Sequence, residues 1–287
     1  MLEIPDADNA ARVADFVELE LSLGEPSFSK AKLTAILRDA SGIEPAESFI
    51  SDVWRHLRRR IARHSADLFE IHGDILTRSD AVNDGRLEYE TCLFFSLYGA
   101  SSQGGAEPKL FERMTADAVA NYLDGRAFIF GWPVLPDTEA EIAARVRSVA
   151  IEMGERFVEG PGARYKDRGV DIIGWKPFEE PDETDNRTGQ LVMLTQCAAG
   201  QDWRDKTGEL PMASWTQYIH WASDPIAGFA VPCVIEDDLW HDIHREVEGV
   251  VFDRIRIVNL LGSGVRLVEL RDALRTWVDE QKDEHSV

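Results

Sequence analysis

The feature that most constrains the fold is a change in the spacing of apolar residues along the chain. In the first half they recur every three or four positions, which predicts amphipathic helices, whereas the second half contains short apolar runs typical of strands. The predicted helices cover residues 10–23, 30–39, 44–64, 87–98, 109–124, 136–155, 213–222 and 267–282, and the predicted strands cover residues 169–175, 190–197 and 228–235. Residues 250–261 begin like a strand but stay ambiguous. This order predicts an α/β fold in which a mixed sheet is flanked by helices.

The N-terminal part of the chain carries the signals of a separate small module. Ser29 is placed to cap the helix that follows it, and Gly42 is placed to end that helix. A hairpin is predicted over residues 68–77, with its turn at Gly73-Asp74. Helices followed by a hairpin is the element order of a winged-helix module. We therefore expect a winged-helix-like domain over residues 1–85 and a second domain over residues 86–287.

The chain is strongly acidic, and this bears on the partners it can attract. It contains 52 Asp and Glu residues against 31 Lys and Arg residues, a formal net charge of −21. Nucleic-acid binding normally depends on Lys and Arg neutralising phosphates, so a chain of this charge is repelled from DNA overall. DNA binding therefore requires a local basic patch, a bound divalent metal, or a partner protein that supplies positive charge.

One dense basic run stands out against this acidic background. Residues 55–64 contain five arginines and two histidines within a predicted helix. We expect Arg58, Arg59 and Arg63 to contact DNA phosphates from this helix. The alternative is a solvated helix face whose charges balance the acidic remainder of the chain.

Cysteine content and hydropathy indicate the compartment. Cys92, Cys197 and Cys233 lie far apart and form neither a CxxC pair nor a zinc-binding pattern. An odd and sparse set of cysteines suits a reducing environment. No apolar run approaches the roughly 20 residues that span a bilayer, and the N-terminus has no basic stretch followed by an apolar core. These features predict a cytoplasmic protein that has no membrane partner.

Three short segments carry residue types that suit phosphodiester hydrolysis. They are residues 110–114 with Glu112, residues 166–173 with Asp171, and residues 191–198 with Gln196 and Cys197. Carboxylate and carbonyl oxygens are the ligands that Mg²⁺ prefers, and a bound metal polarises phosphate and lowers the pKa of water. In their order and type these segments resemble the PD-(D/E)XK, or restriction-endonuclease-like, nuclease superfamily. The resemblance covers roughly residues 108–235.

The resemblance implies a role for each of these residues. In the superfamily a helix supplies a glutamate, a strand supplies the metal-binding aspartate, and the next strand supplies a Glu/Gln-x-Lys pair. Glu112 and Asp171 would hold Mg²⁺ or Mn²⁺ together with the backbone carbonyl of Cys197, and Gln196 would ligate or orient a water. The implied activity is that of a DNA endonuclease of a bacterial restriction or anti-phage system, acting with a partner protein. The resemblance also allows a homo-oligomer.

Side-chain periodicity predicts how these residues are placed. On a helix, Glu112 and Val119 lie seven positions apart and therefore on nearly the same side, which puts Glu112 at the edge of the apolar face. On a strand, residues two apart share a face. We therefore expect Asp171 and Gln196 on adjacent strands, with their side chains on one face at one end of the sheet.

Each of these residues also has a purely structural interpretation. Asp171 could be a solvated residue at a strand end, Glu112 a boundary residue of an amphipathic helix, and Gln196 a partner of backbone groups inside the sheet. Their occurrence together, in the order of the superfamily, favours a site.

The sequence departs from the superfamily pattern at Ala198, where a lysine is expected. Lys206 is the candidate replacement, and Arg204 and Lys166 are further cations nearby. Two other interpretations therefore stay open. One is a catalytically degraded nuclease fold that serves as a protein-interaction or DNA-binding subunit. The other is a winged-helix regulator that uses residues 44–77.

Overall fold

A computed structural model of the chain describes residues 2, 4, 6–65, 67–79, 85–99, 107–130, 139–160, 169–179, 184–185, 187–262 and 265–286. The helices are α1 (Ala10–Ser22), α2 (Lys30–Ser41), α3 (Glu47–Arg63), α4 (Arg86–Tyr98), α5 (Glu107–Leu123), α6 (Glu139–Glu152), α7 (Met212–Trp215), α8 (Asp237–Val247), α9 (Arg254–Leu261) and α10 (Val268–Glu284), with a 3₁₀ turn at Trp203–Lys206. The strands are β1 (Ser27–Ser29), β2 (Phe69–His72), β3 (Ile75–Arg78), β4 (Arg126–Ile129), β5 (Arg156–Phe157), β6 (Ile172–Lys176), β7 (Phe178–Glu179), β8 (Thr184–Asp185), β9 (Leu191–Cys197), β10 (Ile219–His220), β11 (Ile226–Ala230) and β12 (Val250–Phe252). These elements form two compact units, Met1–Ser102 with Arg254–Val287, and Gln103–Asp253.

The first unit begins with a winged-helix-like module, as the sequence predicts. Its elements follow in the order helix, strand, helix, helix, strand, strand, and the strands pair antiparallel in the order β1-β3-β2. Ser29 caps α2 by accepting a hydrogen bond from the backbone N–H of Lys32 at 3.1 Å. Gly42 ends α2 with a left-handed φ of 71°, which glycine adopts without a Cβ clash. The hairpin of β2 and β3 turns at Gly73 as predicted.

A buried charged cluster joins three helices of this unit. Asp15 and Glu18 extend from α1, Arg60 from α3 and Arg254 from α9, and all four side chains are buried. Nη2 of Arg254 donates to Asp15 Oδ1 at 2.6 Å and to Glu18 Oε2 at 3.3 Å. Nη1 of Arg60 donates to the same two oxygens at 2.6 and 3.0 Å. The Arg254 guanidinium also lies 4.9 Å from the ring centroid of Tyr89 on α4, a cation–π contact.

The first unit also contains helices that the predicted boundary at residue 85 assigned to the second domain. α4 packs on α1, and α10 packs on α4. Phe95 of α4 and Trp277 of α10 stack with their ring centroids 4.3 Å apart. An apolar stripe predicts that a helix is buried but does not identify the helix that covers it. The chain accordingly leaves this unit after Ser102 and returns to it at Arg254.

The second unit is built on a five-stranded sheet in the order β12-β11-β9-β6-β4. β9, β11 and β12 run parallel, while β6 runs antiparallel to β9 and β4 runs antiparallel to β6. The predicted α/β fold, a mixed sheet flanked by helices, is thereby confirmed. β4 and β1 were not predicted, and the helix predicted over residues 213–222 is only the single turn of α7.

The two faces of the sheet are covered by different helices. α5 packs on one face so closely that a Cβ at Gly174 of β6 would lie 2.6 Å from Cγ1 of Val119. We call this the α5 face. On the other face, Ile173 and Leu194 join an apolar cluster with Val149 and other residues of α6, and Ala198 belongs to a second cluster that includes residues of α8. We call this the α6/α8 face. Within the described residues, no helix is both long and apolar enough to cross a membrane.

Candidate functional site

Asp171 lies just before β6 and is fixed by hydrogen bonds to both neighbouring strands. Its C=O accepts from the N–H of Phe130 at 2.8 Å, and its N–H donates to the C=O of Thr195 at 2.9 Å. Its Oδ2 accepts from the N–H of Cys197 at 2.8 Å. In a regular antiparallel ladder the N–H and C=O of one residue bind the same neighbouring strand. Asp171 departs from this pattern, so strand alternation does not determine where its side chain points.

The backbone of Cys197 presents its carbonyl group towards Asp171. The N–H of Ala198 donates to the C=O of Ala230 in the direction of β11, at 2.9 Å. In a trans peptide the C=O and the N–H point in opposite directions, so the carbonyl of Cys197 points back towards β6. Desolvation, and then the carboxylates of Asp171 and Glu112, raise the pKa of the Cys197 thiol. The thiol is therefore neutral at neutral pH and is not a nucleophile.

Glu112 approaches the same place from α5. Its side chain is 7% exposed, which confirms the prediction that it lies at the apolar edge of the helix and not out in solvent. Lys109, one turn earlier, places its Nζ 2.8 Å from Oε1 and 3.0 Å from Oε2 of Glu112. The charges that act on the Cys197 thiol are those of Asp171, Glu112 and Lys109. Two carboxylates, a carbonyl and a lysine therefore lie at one end of the sheet.

Gln196 of β9 and Ala198, directly after β9, are the predicted motif positions whose side chains lie on the α6/α8 face. Leu194 and Ala198 pack into the clusters of the α6/α8 face, and alternation places Gln196 between them on that face. The Gln196 side chain is buried, and its Oε1 has no hydrogen-bond partner among the described residues. A Cβ at Gly169, two residues before Asp171, would lie 3.8 Å from Nε2 of Gln196. Gln196 therefore borders the loop that leads into Asp171.

The candidate replacements for the missing lysine have different surroundings. Lys206 lies in the 3₁₀ turn after β9, where its Nζ is 3.3 Å from Oδ1 of Asp202 and its side chain is 34% exposed. Lys166 falls outside the residues that the structure describes. Sequence reasoning missed Lys109, although its spacing of three residues from Glu112 is a recognisable ion-pair signal on a helix.

The predicted basic helix is α3, the third helix of the winged-helix-like module. Arg58, Arg59 and Arg63 are exposed on it, whereas Arg60 turns inward to the buried charged cluster. Nη2 of Arg58 donates to the C=O of Gly73 at 3.1 Å, which ties the helix to the turn of the β2-β3 hairpin. α3 therefore presents arginines beside the wing.

The residues that meet at Asp171 form a donor set suited to Mg²⁺ or Mn²⁺. Asp171 and Glu112 offer carboxylates and Cys197 offers a carbonyl, all hard oxygen ligands, and Mg²⁺ usually retains several waters besides a few protein ligands. A cage of three or more His, Cys, Asp or Glu side chains is absent from the described part of the chain. The fit therefore rests on two carboxylates and one backbone oxygen.

Comparisons with known proteins give only distant likenesses. No family model and no curated protein matches the chain. Among solved structures it is similar to the restriction endonuclease FokI bound to DNA, with 10% identity over 95% of this chain and 47% of that chain and a TM-score of 0.22. It is also similar to the MspJI restriction endonuclease in complex with a 27-mer oligonucleotide, with 16% identity over 85% of this chain and 45% of that chain and a TM-score of 0.24. The chain spans less than half the length of each, and at these TM-scores neither likeness establishes a fold or a function.

Proposed function

We propose that the chain is a metal-dependent DNA endonuclease of a bacterial restriction or anti-phage system, working in the cytoplasm with a partner protein. The observation that carries this proposal is the position of Asp171 between β4 and β9, where the backbone N–H of Cys197 donates to its carboxylate. The carboxylates of Asp171 and Glu112 both lie within electrostatic range of the Cys197 thiol. A strand-end aspartate that was merely solvated would not need its carboxylate bound in this way.

The roles of the residues follow from their chemistry. Asp171, Glu112 and the carbonyl of Cys197 would hold Mg²⁺ or Mn²⁺, which when bound supplies Lewis acidity and a more acidic water. The backbone N–H of Cys197 orients the Asp171 carboxylate. Gln196 would steady the loop before Asp171 from the α6/α8 face and not ligate the metal itself.

DNA is the substrate class that the arginines of α3 would serve. Arg58, Arg59 and Arg63 would contact phosphates, and the hydrogen bond from Arg58 to Gly73 would keep the wing beside the helix. The net charge of −21 opposes this contact at long range. A partner protein that adds positive charge would offset the repulsion.

The experiment is cleavage of plasmid DNA by the purified chain in Mg²⁺ or Mn²⁺, with and without the products of neighbouring genes. Asp171→Asn keeps an oxygen for the Cys197 N–H but removes the negative charge. We expect a loss of at least a hundredfold, which corresponds to about 3 kcal/mol of transition-state stabilisation. Asp124→Asn is the matched control, since Asp124 is 91% exposed and its ion pair with Lys176, at 3.0 Å, lies at the surface. Equal nicking by wild type and Asp171→Asn under every condition would end the nuclease proposal.

A second candidate function is a nuclease fold that has lost catalysis and serves as a protein-interaction or DNA-binding subunit. The observation that favours it is Ala198, which is buried in an apolar cluster where the superfamily has its lysine. This function predicts DNA or protein binding that is unaffected by Asp171→Asn and no cleavage under any metal. The same plasmid assay, combined with a binding measurement, separates the two.

A further inference from the structure

Lys109 has an unusual position for a lysine. It lies in the first turn of α5, where the helix dipole disfavours a cation. Its side chain is 18% exposed, and its Nζ contacts both carboxylate oxygens of Glu112 at 2.8 and 3.0 Å. A lysine is tolerated there because a largely buried carboxylate needs a counter-charge.

The surroundings of Lys109 are those of the candidate site. Its Nζ contacts Glu112, and α5 packs on β6, which follows Asp171, and on β9, which ends at Cys197. All of these residues belong to the second unit. The ammonium group therefore shares one end of the sheet with the two carboxylates that would hold a metal.

The position at which the superfamily carries its lysine cannot serve this chain. Ala198 is 1% exposed and packs with Phe229, Val251 and residues of α8. A side chain there points to the α6/α8 face, whereas Lys109 stands on α5. Lys206 is held at the surface by Asp202.

We infer that Lys109 is the catalytic cation of this site and takes the place of the strand lysine. The inference rests on the proposed nuclease function. In the reaction, a water oxygen forms a bond to phosphorus, the bond from phosphorus to the leaving sugar oxygen breaks, one water proton passes to solvent, and the leaving oxygen takes up a proton. Lys109 stabilises the negative charge that grows on the phosphoryl oxygens.

The ion pair with Glu112 positions Lys109 for this role. Without substrate, Glu112 neutralises the ammonium group in its partly desolvated position. A metal held by Glu112 would take up part of the counter-charge of Lys109, whose N–H donors could then bind phosphate oxygens. The ion pair therefore holds the Lys109 ammonium group beside the place where a phosphate would bind.

The test compares Lys109→Met and Lys109→Arg with the control Lys176→Met, a lysine of the same unit whose ion pair with Asp124 is exposed. Two quantities are measured: DNA cleavage at saturating Mg²⁺, and the affinity for Ca²⁺ by calorimetry in the absence of DNA. We expect Lys109→Met to lose at least a hundredfold in cleavage while binding Ca²⁺ as tightly as wild type or more tightly, because Glu112 is no longer neutralised. Lys109→Arg should keep cleavage within about tenfold of wild type, and Lys176→Met should match wild type.

Three results would overturn the inference while leaving the nuclease proposal intact. Lys109→Met could cleave like wild type, or Lys206→Met could lose the activity instead. Alternatively, Lys109→Met could bind Ca²⁺ more weakly and recover full cleavage at higher Mg²⁺, which would mean that Lys109 only positions Glu112. If Lys109→Met does not fold, Lys109→Gln replaces it under the same criteria. A wild type that neither cleaves DNA nor binds Ca²⁺ would instead refute the nuclease proposal, and this inference with it.

Discussion

Replacing Asp15 by Asn should destabilise the first unit far more than replacing Glu18 by Gln. Both carboxylates are buried, and both accept hydrogen bonds from Arg60 and Arg254. Burial raises the pKa of Asp15, but the two arginines outweigh burial and hold it at about 2, against an ordinary value of 3.8. For Glu18 burial prevails, and the pKa is raised. Asp15 is therefore the carboxylate that the arginines keep ionised.

The magnitude follows from these pKa values. At 1.36 kcal/mol per pKa unit, a lowering from 3.8 to about 2 corresponds to about 2 kcal/mol of stability at neutral pH. Removing one partner of a buried ion pair costs roughly 3–5 kcal/mol in other proteins, because a charge is left uncompensated. We therefore expect Asp15→Asn to cost about 2–5 kcal/mol. Glu18→Gln should cost less than about 1 kcal/mol, because the pKa of Glu18 is raised on folding, so that the folded protein does not stabilise its charge.

The assay is urea unfolding at pH 7, followed by the fluorescence of tryptophan, since Trp54 and Trp277 are buried in this unit. Folding lowers the pKa of Asp15, so its contribution is fully present above pH 3.8 and is lost as the pH falls towards about 2. The difference in unfolding free energy between wild type and Asp15→Asn should shrink over that range. Equal losses for the two variants at pH 7, or a larger loss for Glu18→Gln, would refute the reasoning.

The remaining predictions concern the site, the basic helix and a buried acid. Ala198→Lys should lower the thermal midpoint by several degrees and should not raise cleavage, because its apolar cluster has no place for an ammonium group; a stable and more active variant would contradict this. Replacing Arg58, Arg59 and Arg63 by Ala should weaken DNA binding, measured by fluorescence anisotropy. The slope of log K against log[salt] should become shallower by about 0.9 for each phosphate that is no longer neutralised. An unchanged slope would mean that these arginines form only a solvated helix face. Burial raises the pKa of Glu90 to about 7 from 4.5, so its contribution to stability should be lost as the pH rises through that range. The urea midpoint of the wild type should fall between about pH 5 and pH 8, and Glu90→Gln should make this fall smaller. Identical pH profiles for the two proteins would show that Glu90 does not cause the fall.

Local signals in the sequence were sufficient for most of the helices and for the winged-helix-like module. The cap at Ser29, the end of α2 at Gly42 and the turn at Gly73 depend only on neighbouring residues, and each lies where it was predicted. The boundary between the two units was not accessible in this way, because it depends on which helices cover one another. β4 was missed because its partner strand begins more than 40 residues later, at Ile172.

Sequence periodicity predicted part of the geometry around the candidate site but not all of it. Periodicity correctly placed Glu112 at the edge of the apolar face, since a helix is regular there. The expectation that Gln196 and Asp171 share a face assumed regular strands, and Asp171 binds two different strands just outside β6. Lys109 was not predicted as a site residue because its place depends on how α5 packs on the sheet at Gly174. A single sequence does not reveal that packing.

The return of the chain to the first unit at Arg254 has a consequence for biosynthesis. α1 and α4 leave the ribosome more than 150 residues before α9 and α10. Until then the anions of α1 lack one of their two guanidinium partners, and Phe95 lacks the ring of Trp277 that stacks on it. The first unit therefore cannot form all of its contacts until α9 and α10 have been synthesised. Gln103–Asp253 can form its own sheet before that.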